Sequence, residues 1–576
     1  MSVARVLSRA ELGLEAPQVQ VEVHLSAGLP GFTVVGLPAP VVRESRERVR
    51  AALLNSGYEF PQRRITVNLA PVELFKQGGR FDLPIALGVL IASGQLSTRI
   101  AASVECYGEL GLTGELKPVG GLFLAALQAA RAGHALLVPS GNAEEVALAA
   151  PESAWAAAHL RAAARALLGP MPGGAHSRFC AVRLDGAPRA GAPAELFRIQ
   201  PLDPIGAAAP QAAHAAQVAA LADVVGQPHA KRALVVAAAG GHSLLLIGPP
   251  GSGKSMLAAR LPGLLPALTQ EEALEVAGIL ALARQPLDPR RWGCRPFRCP
   301  HHTSSAGAMV GGGTALMPGE ISLAHRGVLF LDELPEYDRR VLEALREPLE
   351  CGRITIARTA WRVQLPARFQ LVAAMNPCPC GYLGDARTPC RCTPAHVRRY
   401  RERVSGPLMD RIDIRVSVAR LAAAELTQLG AADAADPADA ADPADAADPA
   451  DAADPADDAD PADDADRADA ADDAVRPLPA PMDPGAQVRA ARARRLSRSG
   501  ALSAWLSAAQ LRQCCRLPAD TARLMRRSCQ RWPLSGRGVQ RLLALSRTIA
   551  DLADSDSIQP GHLAEAIQLR RPFETP

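Results

Sequence analysis

Lysine is nearly absent from this chain. Of 63 basic residues only Lys76, Lys117, Lys231 and Lys254 are lysine, and the other 59 are arginine. Arginine's planar fork suits bidentate contacts to phosphate, so the bias points to a polyanionic partner. Long apolar runs are also missing. Stretches such as Phe81 to Ala92 and Leu244 to Ile247 are interrupted or far shorter than the roughly 18 residues of a membrane span, so no spanning helix is expected. The N-terminus, where Glu11 and Glu15 follow Arg5 and Arg9, lacks the apolar core and small-residue cleavage site of a secretory leader. A cytoplasmic protein is expected. The twelve cysteines form no disulfide framework in 576 residues, and four of them crowd into positions 378 to 392, where metal ligation outranks pairing.

Strong net charge is absent only on average, because the formal balance of +4 hides two opposite regions. Residues 431–473 hold 17 Asp and one base, Arg467, a net of −16; the remaining 533 residues carry 62 bases against 42 acids, a net of +20. In the acidic tract Pro437, Pro443, Pro449, Pro455 and Pro461 recur every sixth residue. Such a segment repels itself and cannot bury a core, so it is expected to be disordered. It is either a solvated expansion of a surface loop or a nucleic-acid mimic competing for the basic surface.

The length predicts three or four domains, and 48% hydrophobic residues can bury several cores. The fold class is α/β. Residues 1–168 alternate apolar strands (Val19-Val21-Val23, Phe32-Val34-Val35, Ile65-Val67-Leu69) with helical stretches at Val41–Leu54 and Leu122–Arg131. Residues 169–220, rich in Pro, Gly and Ala, read as a linker. A second α/β region at 221–425 places short strands (Ser243–Ile247, Gly327–Leu331, Gln370–Ala374) between helices, the order of a parallel sheet. The acidic insertion occupies 426–483, and 484–576 reads as a helical lid whose first helix carries Arg489, Arg492, Arg494, Arg495 and Arg498.

Gly248-Pro249-Pro250-Gly251-Ser252-Gly253-Lys254-Ser255 follows a strand and opens a helix, the context a phosphate-binding loop requires. Its glycines let backbone N–H groups wrap phosphates at a helix N-terminus; Lys254 would reach the β and γ oxygens, and Ser255 would ligate Mg²⁺. One of only four lysines stands where a compact ammonium fits and a guanidinium does not. Downstream, the strand Val328 to Leu331 delivers Asp332 and Glu333 to the sheet's carboxyl edge, one for Mg²⁺ and one to activate water. A third strand ends at Asn376, an amide able to orient that water, although an isolated Asn is more often a turn former. Together these define ATP hydrolysis.

With these motifs the sequence resembles the AAA+ ATPases, and more closely the magnesium-chelatase-like family that includes ComM and YifB. The resemblance spans nearly the whole chain. It rests on Arg295-Pro-Phe-Arg-Cys-Pro-His-His302, Gly311-Gly-Gly313, Pro318-Gly-Glu-Ile-Ser-Leu-Ala324, Asn376-Pro-Cys-Pro-Cys-Gly381 and Ser405-Gly-Pro-Leu-Met-Asp-Arg-Ile-Asp413. It implies a ring, a hexamer, in which Arg411 resembles the finger inserted into a neighbour's site. It further implies that Arg537 resembles the lid arginine touching the γ-phosphate, and that Val224-Val-Gly-Gln227 resembles the adenine-flanking segment. By their physics alone both arginines would be ordinary surface residues.

Cys378-x-Cys380 and Cys390-x-Cys392 could close a tetrahedral Zn²⁺ site, or they are free thiols in a reducing compartment. His396 is a substitute ligand in the first case. Cys299, His301 and His302 make a second suggestive cluster, better explained by packing or loop polarity. Residues 354–365 read as a hairpin with a basic, aromatic tip. In a ring it would face the pore, with Arg358 and Arg362 on a phosphate backbone and Trp361 on bases; on the residues alone, an exposed hairpin with solvated charges weighs equally.

The first 168 residues resemble the protease domain of Lon through Gly79-Arg-Phe-Asp82-Leu-Pro84-Ile85-Ala86 and Thr113-Gly-Glu-Leu-Lys-Pro-Val-Gly-Gly-Leu122. Ile85 stands where Lon has its nucleophilic Ser, and Phe123 where it has its Lys, so no proteolysis is expected. Lys117 reads as a surface charge rather than a relocated base. The ComM resemblance implies an ATP-driven DNA helicase promoting branch migration in recombination and natural transformation. The alternative is a chelatase-type or chaperone ATPase that remodels a protein.

Overall fold

The computed structural model of the chain describes residues 3–96, 103–149, 154–167, 196–199, 221–313, 317–357, 362–385, 387–420, 483–532 and 534–570. The acidic tract, Arg358 and Trp361 lie outside them.

The amino-terminal third is built on an eight-stranded mixed sheet. Its order is Leu196–Arg198, Ala154–Ala157, Ala135–Pro139, Val104–Cys106, Val3–Arg9, Gln18–Ser26, Arg64–Ala70, Gly31–Val35. In Gln18–Ser26 and Arg64–Ala70 alternate residues point inward, so Val19, Val21, Val23, Ile65, Val67 and Leu69 are all fully buried. The helices Ser45–Asn55 and Asp82–Ala92 cover that face. Gly88 admits this close packing, since a Cβ there would stand 2.5 Å from a methyl of Val23. Within 169–220, read from sequence as linker throughout, Leu196–Arg198 instead pairs antiparallel with Ala154–Ala157 and Ile199 is buried. Three residues are too few to raise a periodicity above a Pro- and Ala-rich background.

The central region is a five-stranded, wholly parallel sheet in the order Phe297–Arg298, Val328–Leu331, Gln370–Met375, Leu244–Ile247, Ile414–Ser417. Helices lie on both faces, which is why these strands are continuous apolar runs rather than alternating ones. Leu244, Leu246, Phe330, Val372 and Ala374 face one core, and Leu245, Leu329, Leu331, Leu371 and Ala373 face the other. The C-terminal helices Pro484–Ser499, Gly536–Leu552 and Pro560–Arg570 close over the first of these cores, against the helix Pro228–Gly240. The two sheets are joined through the helix Gln270–Leu282. Its residues Ala273, Val276 and Ala277 share a core with Phe123, Leu124 and Leu136.

Much of the arginine excess is spent inside the molecule. Arg9 is buried and bonded to Glu105 at 2.8 Å. Of the lid's basic first helix, Arg492 and Arg495 are buried, Arg492 Nε donating 2.8 Å to the Ala238 carbonyl, and Arg498 pairs with Asp551 at 2.7 Å. Two of that helix's arginines are therefore not available to a polyanion, while Arg489 and Arg498 stay exposed. Arg492 docks the lid, because a long stem ending in several donors can satisfy a buried carbonyl that an apolar side chain cannot.

Candidate nucleotide site

The parallel sheet delivers three strand ends to one edge. Leu244–Ile247 runs into the loop Gly248–Gly253 and then the helix Lys254–Leu264. Gly248 is required sterically: a Cβ there would stand 2.1 Å from the Val418 carbonyl oxygen. Gly251 and Gly253 have φ of +75° and +85°, which turn the backbone around a concave space at the helix N-terminus. Register then fixes the neighbours. Ile247 lies beside Met375 and Leu331 beside Ala373, so the residues that follow, Asp332 and Asn376, come to the same edge.

The side chains meet as the motifs require. Lys254 Nζ donates 2.9 Å to the carbonyls of Gly248 and Pro249 and 3.3 Å to Asn376 Oδ1. Burial lowers its pKa, and the nearby Asp332 and Glu333 carboxylates oppose that shift. Ser255 Oγ donates 2.6 Å to Asp332 Oδ2. Glu333 has φ of +52° and is exposed toward the cleft. A left-handed glutamate is strained backbone, and here it turns the carboxylate out of the strand direction. The cleft holds about 440 Å³, and Pro250, Gly251, Lys254, Ser255, Glu333 and Asn376 are among its walls. An oxygen pair from Ser255 and Asp332 beside an ammonium and an ordered amide suits a hard divalent cation and a polyphosphate.

Other expected residues sit elsewhere. Gln227, φ +54°, precedes the helix Pro228–Gly240 and donates 2.5 Å to the Ala419 carbonyl. Arg411 is 8% exposed, with Nη1 donating 2.6 Å to the Pro407 carbonyl and Nη2 paired with Glu350. Arg537, on the lid, is paired with the same Glu350 carboxylate, whose pKa its hydrogen bond lowers. Neither arginine lines the cleft of its own chain. Arg362 opens the second strand of a hairpin, Arg353–Ala357 with Arg362–Pro366, and is exposed. Ile85 and Phe123 are fully buried in the amino-terminal cores, and Lys117 is exposed.

Two residues had no role in the sequence reading. His302 Nδ1 lies 3.2 Å from a carboxylate oxygen of Glu333, with the His301 ring tilted against its own at 4.2 Å. The tandem His-His had been visible, but without the fold nothing placed it against a carboxylate 31 residues downstream. Glu350, which gathers both arginines, belongs to no motif. Among the described residues the only cluster of three or more His, Cys, Asp or Glu side chains placed to share a metal is Cys378, Cys380, Cys390 and Cys392, with His396 outside it.

Comparison with known proteins finds relatives along nearly the whole chain. A family model described as "Magnesium chelatase, subunit ChlI" matches residues 220–426, one described as "Subunit ChlI of Mg-chelatase" matches 21–142, and its C-terminal counterpart matches 484–570. Protein YifB of Escherichia coli is 42% identical, aligned over 99% of this chain and 97% of its own. Competence protein ComM of Haemophilus influenzae is 40% identical over 99% and 98%. The magnesium-chelatase 38 kDa subunit of Cereibacter sphaeroides is 27% identical over 27% of this chain and 51% of its own length.

Proposed function

The chain belongs to the magnesium-chelatase-like AAA+ family that includes YifB and ComM, and from that premise we propose that it is an ATP-driven DNA motor, a hexameric helicase promoting branch migration. The observation that carries the ATPase half is the convergence of Lys254, Ser255, Asp332, Glu333 and Asn376 on one cleft. The loop amides and Lys254 bind the triphosphate, and Asn376 orients a water that Glu333 deprotonates. Ser255 and Asp332 would hold Mg²⁺, which offsets charge on the phosphate oxygens. Gln227 flanks the base. Arg411, held with Arg537 by Glu350 outside its own cleft, serves the site of a neighbouring copy, so the ring is part of the catalyst, and Arg537 is the lid arginine that touches the γ-phosphate.

The DNA half is supported by the full-length likeness to a competence protein and by the hairpin that carries Arg362. Arg358 and Trp361 would complete its tip. The amino-terminal region, with Ile85 and Phe123 sealed in apolar cores, offers no nucleophile or base at those positions and is read as a non-proteolytic docking module.

The test is steady-state ATPase activity alone and with single-stranded, duplex or four-way-junction DNA, at two salt concentrations, beside Lys254→Ala. Stimulation by junctions that weakens with salt is the expected result, because phosphate contacts release counterions. Turnover indifferent to every DNA would instead favour a protein-remodelling, chelatase-like machine.

A further inference from the structure

Cys378, Cys380, Cys390 and Cys392 converge although 378–392 contains no helix or strand among its described residues, and their sulfurs all lie within 4.8 Å of one another. Cys378 Sγ is 3.4 Å from Cys380 Sγ and 3.7 Å from Cys390 Sγ, and Cys380 is 3.6 Å from Cys390. A disulfide would bring two sulfurs to about 2.05 Å. Four sulfurs around a metal at about 2.3 Å define a tetrahedron with edges of about 3.8 Å. The observed spacings match the second geometry.

The position of this loop matters more than its composition. Cys378 is fully buried two residues beyond Asn376. Arg401 donates from Nε and Nη2 to the intervening Pro377 carbonyl at 3.3 Å. Gly381, φ +86°, lies so close to the phosphate loop that a Cβ would stand 2.7 Å from Pro250 Cδ and 3.8 Å from Asn376 Cγ. On its far side the loop is tied to the segment after the last strand, Asp385 pairing with Arg420 at 3.2 Å. The thiol cluster therefore ties together the two stretches of a loop whose first part touches the phosphate loop and the water-orienting amide.

We propose that the four thiolates bind one Zn²⁺, and that this metal holds Pro250 and Asn376 in their working positions, so that nucleotide handling depends on a metal outside the cleft. Without it, a Pro- and Gly-rich loop with neither helix nor strand among its described residues loses the link between 378–380 and 390–392 that holds Gly381 against Pro250. The proposal rests on the reading of the cleft as a nucleotide site. Zinc joins two stretches of chain, 378–380 and 390–392, and acts on turnover through Asn376, which makes these cysteines positioning residues.

Elemental analysis of the full-length protein purified under reducing conditions should find one zinc per chain, and none in Cys390→Ser/Cys392→Ser. Stripping zinc from the native chain with a chelator, followed by circular dichroism to confirm that the fold remains, should lower kcat for ATP at least about tenfold. Adding ZnCl₂ alone should restore it. Binding of a fluorescent ATP analogue is measured in parallel. Absence of zinc, or iron in its place, overturns the proposal; so does bound zinc whose removal changes neither turnover nor analogue affinity. Were the intact protein to show no turnover at all, the hydrolysis reading would fail. Zinc content and the zinc dependence of analogue affinity would still decide the metal's role. The chelation arm also stands if the double variant does not fold.

Discussion

At the scale of single residues, the cleft separates binding from chemistry. Glu333 is exposed to the cleft and follows the strand Val328–Leu331 rather than belonging to the phosphate loop, so Glu333→Gln should leave affinity for an ATP analogue unchanged while lowering turnover by about 10²–10⁴-fold, the usual range for losing a general base. Retained hydrolysis would remove Glu333 from that role. His302 stands 3.2 Å from the same carboxylate and occupies one of its oxygens. His302→Ala should free it and raise DNA-independent turnover by about two- to fivefold, what an exposed pair of about 0.5–1 kcal/mol is worth. An unchanged basal rate with unchanged DNA stimulation would mean that the contact is incidental. Neither histidine nor glutamate was paired by the sequence, because sequence spacing carries no information about which loops the sheet edge brings together.

At the scale of elements, the lid is joined to the parallel sheet through Asp413, at the start of the last strand. Burial pushes its carboxyl up, but Arg541 and His242 beside it outweigh that and hold its pKa at about 2. The sign of the pH effect follows. A depressed carboxyl contributes stability that is complete above its unfolded value of about 3.9 and is lost as pH falls toward 2. Asp413→Asn should therefore lower stability at pH 7 by about 3–5 kcal/mol, since Arg541 loses its buried partner, and should flatten the acid limb of a thermal-melt series between pH 4 and 2. An identical acid limb in the variant would assign it to other carboxylates. The hairpin is the second element with a distinct expectation. Arg362→Ala should weaken DNA binding uniformly across sequences and reduce the slope of log affinity against log salt by about one, the mark of one phosphate contact.

At the scale of the whole molecule, the proposed role of Arg411 in a neighbouring copy's site predicts catalysis across copies. Arg411→Ala alone should lower turnover by about 10³-fold or more, as loss of an arginine finger does. Mixed with Glu333→Gln subunits, themselves inactive, it should regain activity, because one interface in the mixture combines an intact cleft with an intact arginine. A mixture as inactive as its parts would place Arg411 in its own chain's structure. Deleting 431–473 tests the acidic tract at the same scale: tighter DNA binding supports competition for the basic surface, and unchanged affinity identifies a solvated expansion.

What was legible in the sequence is what local chain chemistry dictates. The phosphate loop needs glycines at positive φ and a lysine at fixed spacing, so Gly248 to Ser255 could be read directly. The buried parallel strands needed apolar runs, so 244–247, 328–331 and 370–375 were identified to within a residue or two. The length of the helix Leu122–Arg131 was legible for the same reason. Contacts between distant segments were not. Glu350 gathering Arg411 and Arg537, His302 reaching Glu333, and Gly381 pressed on Pro250 depend on strand order and loop path, which residue spacing does not encode. The burial of Arg492 and Arg495 belongs with these: composition counted them as charge available to a partner, and only the packing of the lid turned them inward, Arg492 onto the helix Pro228–Gly240, where the Ala238 carbonyl accepts its Nε–H.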